Sequence, residues 1–210
     1  MVRPSVAKLG TNFRCYVDFD VQREKSFLNL ETLFGNDHPV SMEIGMGKGL
    51  FMQQKALDEP THNFLGIERV KKFLLFSASR IEQMGLGNVK LFSVEAREFI
   101  ERFISDREIQ NVYILFPDPW PKRRHRNRRL VQKDFLLLLR EKLKDSGVVH
   151  ITTDHKEYHQ WICKQIEELE GKSFISLPAH RTEYITNFQR KYEKQGKDIY
   201  FTRLQVLRSQ

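Results

Sequence analysis

Phe116-Pro117-Asp118-Pro119-Trp120-Pro121-Lys122 is followed at once by Arg123, Arg124, His125, Arg126, Asn127, Arg128 and Arg129. Three prolines fix φ at their own positions and restrict the residues before them, so Asp118 and Trp120 stand on a stiffened backbone. A rigid carboxylate beside an aromatic ring can hold a nucleobase. The carboxylate accepts from N1–H and N2–H of guanine, and the ring stacks on the base. The cations that follow suit phosphate oxygens. The plainer reading of such a run is a solvated cationic face or a nuclear-localisation-like segment.

A second constellation is Glu43-Ile44-Gly45-Met46-Gly47-Lys48-Gly49. Glycines between a strand and a helix let the backbone turn tightly and approach a ligand. A dinucleotide fingerprint, G-x-G-x-x-G counted from Gly45, needs glycine where Leu50 stands, which disfavours a nicotinamide dehydrogenase. The spacing is E-x-G-x-G-x-G, a loop for a ligand without a pyrophosphate, and the Glu43 carboxylate suits a cationic end. Glu68 closes Gly66-Ile67-Glu68, about 20 residues on, where an acid can accept from both hydroxyls of a ribose. Glu95 in Val94-Glu95-Ala96 is placed for an exocyclic adenine amine. The bland alternatives are a glycine turn without a ligand, a solvated acid at 68, and a first-turn acid beside a helix N-terminus at 95.

These residues need elements to hold them. Apolar runs with strand character cover Val40–Ile44, Asn63–Ile67, Val89–Val94, Val112–Phe116, Gly147–Thr152 and Ile199–Leu207. Helical patterns cover Leu50–Leu57, Val70–Met84, Ala96–Ile104, Lys133–Leu143 and Tyr158–Leu169. Such alternation predicts an α/β, Rossmann-like fold with a mostly parallel sheet and helices on both faces. Glu43, Glu68, Asp118 and Asp154 then all fall at strand ends, where open parallel sheets bind ligands. Residues 1–38 fit the pattern poorly and are read as an N-terminal extension before a domain over 39–210.

Bulk properties agree with a folded protein. The chain has 210 residues, 40% hydrophobic and 30% charged, enough for one substantial core. No apolar run approaches the ~18 residues of a membrane span, and the first residues lack the apolar stretch of a secretory signal. The two cysteines, Cys15 and Cys163, form no metal-spaced pair, which points to a reducing cytoplasm and no metal site. Net charge is +8. Six cations lie within the eight residues 122–129, so one segment dominates the field and calls for a polyanionic partner.

From Val40 to the C-terminus the chain resembles the tRNA (guanine-N7) methyltransferase family. The resemblance rests on the E-x-G-x-G-x-G loop shared by class I methyltransferases, G-I-E at 66–68, F-P-D-P-W-P-K with its basic run, Thr152-Thr153-Asp154, and Thr186-x-Phe188 before Tyr192 and Gly196. It implies a seven-stranded class I fold and transfer of a methyl group from S-adenosylmethionine to guanine N7 at position 46 in the tRNA variable loop. It implies cofactor contacts from Glu43, Gly45, Gly47, Gly49, Glu68, Glu95 and Asp118. It implies substrate contacts from Lys122, Arg124, His125, Arg126, Asn127, Arg128, Arg129, Asp154, Thr186 and Gln189. Asp118 carries the catalytic expectation. Two positions depart from the family pattern: Glu95 stands where Asp is usual, and Gln189 where an acid is usual. The expected assembly is a monomer or homodimer with no obligatory protein partner and no membrane. A class I methyltransferase for another RNA base or a small molecule would keep the glycine loop but leave the basic run unexplained. A non-catalytic RNA-binding module would not need Glu43 and Glu68.

Overall fold

In the computed structural model, which describes residues 12–181 and 183–208, the chain divides into two units, Met1–Ile104 and Ser105–Gln210. The first unit contains β1 (Tyr16–Val17), α1 (Leu30–Phe34), β2 (Val40–Ile44), α2 (Leu50–Asp58), β3 (Asn63–Ile67), α3 (Lys71–Gln83), β4 (Val89–Phe92) and α4 (Ala96–Phe103). Its strands run in the order β1-β4-β3-β2, all parallel. Every residue of β2 and β3 is buried, which is why both read as short unbroken runs rather than as alternating ones. Pairing sets Ile44 against Ile67 and Ile67 against Phe92. The carboxyl ends of β2, β3 and β4 therefore align, and the residues after them (Gly45, Glu68 and, three positions past Phe92, Glu95) emerge along one edge.

The N-terminal segment does not stand apart from this unit. Tyr16 and Val17 pair in parallel with Leu91 and Phe92, and Cys15 is buried among Met52, Leu74 and Leu91. Burial pushes the Cys15 thiol up to about 11. Phe19 meets Phe92, Phe99 and Phe103 edge-on, with centroids 4.9–5.5 Å apart, and the Leu28 N–H donates to the Phe103 carbonyl at 2.8 Å. The described residues thus hold eight strands rather than seven. The additional one, β1, is two residues long and comes from the segment read as an extension; residues 1–11 of that segment lie outside the described residues.

The second unit contains β5 (Ile109–Leu115), a 3-10 turn (Arg123–Arg128), α5 (Lys133–Lys142), β6 (Leu143–Thr153), α6 (Lys156–Glu167), β7 (Phe174–Leu177), α7 (Asn187–Lys194) and β8 (Tyr200–Val206). Strand order is β5-β6-β8-β7. β5 and β6 are parallel, while β8 runs antiparallel to both β6 and β7. Phe135, Leu136 and Leu139 of α5, with Tyr158 and Ile162 of α6, are fully buried, so each helix inserts one apolar stripe into the unit's core. The Phe116 N–H donates to the Thr152 carbonyl at 2.7 Å, which ties the start of the proline-rich loop to β6.

Candidate active site

In the first unit, the loop after β2 carries Gly45, Gly47 and Gly49 at φ of 72°, 56° and 66°, a left-handed backbone that favours glycine. At Gly49 the requirement is also steric, since a Cβ would lie 2.0 Å from the Ser77 Oγ of α3. At Gly45 and Gly47 a Cβ would meet nothing within 4 Å. The loop is a cradle whose open side a side chain would fill.

Two carboxylates serve that cradle. Glu68 is buried; its Oε2 accepts from the Gly47 N–H at 2.9 Å and its Oε1 from the Val70 N–H at 2.8 Å. It shapes the loop and, with two lone pairs per oxygen, keeps acceptor capacity for a ligand. Glu43 is 3% exposed, and its buried Oε2 has no hydrogen-bond partner among the described residues. Burial, and then the charge of Glu68, hold its carboxyl well above the usual carboxylate range. A buried acid with one oxygen unsatisfied fits a cationic ligand group, which would satisfy the oxygen and restore the charge. These features fit S-adenosylmethionine, whose amino-acid end carries an ammonium beside its carboxylate and whose ribose presents hydroxyl donors. Glu95 is the N-cap of α4, with its Oε2 accepting from the Glu98 N–H at 2.8 Å. Here the first-turn reading of that acid is realised in the geometry.

In the second unit, Asp118 lies between two left-handed non-glycine residues, Phe116 (φ 56°) and Trp120 (φ 42°). Its carboxylate is exposed and, among the described residues, enters no hydrogen bond or ion pair. Asp154 differs: its carboxylate is paired with Lys197 Nζ at 2.7 Å. That ammonium also lies 4.3 Å over the Tyr192 ring.

The basic run folds as a 3-10 turn, which has three residues per turn and so eclipses positions three apart. His125 and Arg128 share one edge and flank Trp120. The imidazole meets the indole edge-on at 5.8 Å, and the Arg128 guanidinium lies over it at 5.2 Å. Arg126 and Arg129 share the next edge, and both pair with Glu157 at the start of α6. Lys122, Arg123, Arg124 and Asn127 are exposed.

Arg129 requires a correction. It was expected to contact RNA phosphate, but it is 1% exposed. Its guanidinium is held by Glu157, lies 4.9 Å over Tyr158 and 5.1 Å over Trp161, and donates through Nε to the Pro119 carbonyl at 2.9 Å. A cation with its donors committed inside the unit does not neutralise an external phosphate. Glu157, Tyr158 and Trp161 had no local signature, because their role exists only through contacts about thirty residues away in sequence. The expected substrate loop is a capped helix: Thr186 Oγ1 accepts from the Gln189 N–H at 2.9 Å, and the buried Gln189 donates to Glu193. Phe188 is exposed, and Tyr192 and Phe116 lie 5.6 Å apart, so α7 presents an aromatic edge beside the loop.

Residues 37–202 match the family described as "Putative methyltransferase". The tRNA (guanine-N(7)-)-methyltransferase of Geobacillus sp. strain WCH70 is 34% identical over 173 residues, covering 80% of this chain and 78% of that protein. The enzyme of the same name from Buchnera aphidicola subsp. Baizongia pistaciae is 36% identical over 198 residues, covering 92% and 78%. Among solved structures, the 16S rRNA methyltransferase KamB aligns with a TM-score of 0.64 at 13% identity, covering 87% of this chain and 95% of that one. The 16S rRNA (adenine(1408)-N(1))-methyltransferase of Catenulisporales acidiphilia, solved with its cosubstrate SAM, aligns with a TM-score of 0.57 at 14% identity, covering 92% and 94%. The fold is that of the S-adenosylmethionine-dependent methyltransferases, and the chain belongs to the tRNA (guanine-N(7)-)-methyltransferase family.

Proposed function

We propose that this protein methylates N7 of a guanine in tRNA, at position 46 of the variable loop, with S-adenosylmethionine as donor. The observation that carries the reading is an unpaired carboxylate, Asp118, fixed between Pro117 and Pro119 directly before an exposed cationic turn. Family membership supplies the reaction class, and the buried, unsatisfied Glu43 supplies a counter-charge for the donor.

The donor brings a methyl group on a positively charged sulfur. Guanine N7 carries a lone pair and no proton, so no residue has to act as a base before transfer. What remains is positioning, and stabilisation of the positive charge that spreads over the purine. Asp118 takes both tasks, accepting from N1–H and N2–H while its charge offsets that of the product. Asp154, largely neutralised by Lys197, is the second carboxylate near the substrate. Trp120 offers a ring to the base, and Lys122, Arg124 and Arg128 take backbone phosphates. Glu43, Glu68 and the glycine loop hold the donor, and Glu95, whose Oε2 caps α4, has its other oxygen left to accept from the adenine amine. Freeing the guanine from tRNA tertiary structure costs a few kcal/mol, which the phosphate contacts offset.

Among the described residues no group of His, Cys, Asp or Glu is placed to hold a metal ion, and no helix is long and apolar enough to cross a membrane. We place the protein in the cytoplasm, acting as a monomer or homodimer without an obligatory protein partner. The deciding experiment is methylation of unmodified tRNA with labelled donor, followed by mapping of the modified base. Label on guanine N7 in the variable loop supports the reading, and label on another base or on no RNA overturns it.

A further inference from the structure

In the first unit, α3 has an exposed face of unusual composition. At about 100° per residue, Lys72, Phe73, Phe76 and Arg80 fall on one stripe. Leu74, Leu75, Ala78 and Ile81 point into the core. Lys48, from the glycine loop, reaches the same stripe: its Nζ lies 5.5 Å from the Phe76 ring, and the Arg80 guanidinium lies 5.8 Å from it. Phe73, on the same stripe, is 38% exposed. Among the described residues, no carboxylate pairs with Lys48, Arg69, Lys72 or Arg80. The neighbouring acid on α3, Glu82, is turned to Arg14 instead.

Cations left unpaired along one helical face build up a positive potential that attracts a polyanion, and a polyanion covering them relieves their mutual repulsion. Aromatic rings between the cations add stacking platforms of the kind that hold unpaired bases. We infer that this stripe (Lys48, Lys72, Phe73, Phe76 and Arg80) is a second tRNA-contacting surface, distinct from the cationic turn after Trp120. The inference rests on the tRNA reading above and extends it. Lys48 sits within the glycine loop, and α3 packs against that loop at Ser77 and Gly49. Phosphate held on this stripe therefore anchors the substrate beside the donor loop itself.

The test is tRNA binding by Lys72→Ala/Arg80→Ala across a potassium chloride series. Donor affinity is measured in parallel by calorimetry, to show that the loop is intact. Two lost phosphate contacts lower the salt slope by about 1.4–1.8 and weaken binding about ten- to fiftyfold at 0.1 M salt, with donor affinity unchanged. A control variant, Lys164→Ala/Lys172→Ala, removes two exposed lysines outside either surface and keeps most of the affinity. Wild-type affinity and slope in Lys72→Ala/Arg80→Ala overturn the inference, as does an equal loss in the control. So does a loss confined to binding of phosphatidylserine vesicles. Base mapping on wild-type enzyme is read separately: a methyl group on another base sinks the guanine-N7 reading, while the salt series still decides the surface.

Discussion

Arg129 Nε donates to the Pro119 carbonyl at 2.9 Å, so the last cation of the basic run holds the loop that presents Asp118. Its neighbour Arg128 faces the other way and lies over the Trp120 ring. Adjacent arginines are thereby assigned to different tasks.

Their alanine variants should separate cleanly. Arg129→Ala strips a buried cation from Glu157, Tyr158 and Trp161 and costs about 2–4 kcal/mol of stability, below the value for a fully buried pair because Glu157 reaches solvent. Arg128→Ala costs about 1 kcal/mol or less, but lowers the salt slope of tRNA binding by about 0.7–0.9. Urea unfolding and salt-dependent binding on both variants check the division. A wild-type urea midpoint for Arg129→Ala removes it from the loop's support.

Glu43 predicts proton-linked donor binding. Its folded-state pKa is raised by burial and by Glu68, so the free protein binds a proton there above the pH at which an unfolded glutamate loses one. That contribution to stability is fully present below the unfolded pKa and is lost as pH rises through the folded one. A cationic ligand favours the ionised form. Donor binding therefore releases a proton in this window, and affinity rises with pH. Calorimetry in buffers of different ionisation enthalpy should detect the release, and Glu43→Gln should abolish it. An identical proton count in wild type and variant would place the ammonium elsewhere.

Glu68→Ala should weaken donor binding by about 1–3 kcal/mol, the cost of losing a charged hydrogen-bond partner. The variant also leaves the Gly47 and Val70 N–H groups without their acceptor, so its thermal midpoint should fall as well. Unchanged donor affinity in a folded Glu68→Ala protein takes this acid out of the site.

Asp118→Asn tests the chemistry. If the carboxylate only shaped the loop, the amide would be nearly silent. If it anchors guanine, one acceptor becomes a donor facing a donor, and the charge opposing the cationic product is gone. The barrier then rises by ~3–4 kcal/mol, or roughly 10²–10³-fold in rate. Overall tRNA affinity survives, because phosphate contacts supply most of it. Single-turnover methylation at saturating donor and tRNA is the measurement. A rate within about threefold of wild type transfers the assignment to Asp154.

The parts of the fold written in short-range pattern were legible. Val40–Ile44 and Asn63–Ile67 have the strand limits expected from their apolar runs, and the glycine spacing located the left-handed loop. Strand β1 was not legible, because two residues carry no periodicity and Tyr16–Val17 is a strand only through its pairing with β4. Helix α7 is eight residues long and rich in charge, with Gln189 as its buried residue, so the single Phe188–Tyr192 pair is too little periodicity to announce it. For the candidate site, residue types singled out Glu43, Glu68 and Asp118, which remain proposals. The fate of each cation in the basic run depended on the 3-10 turn and on Glu157, and neither is encoded near the run itself.

The left-handed Phe116 and Trp120 bear on how this protein would respond to selection for heat resistance. Each conformation costs of the order of 1–3 kcal/mol for a bulky residue, and glycine would adopt either freely. A library scored only for survival after heating should therefore collect Trp120→Gly, a change that relaxes the backbone and discards the ring. Under the proposed function, in which the Trp120 ring stacks on the base, such a variant would gain stability and lose methylation of tRNA, so improvement by heat alone would lead the loop away from that task.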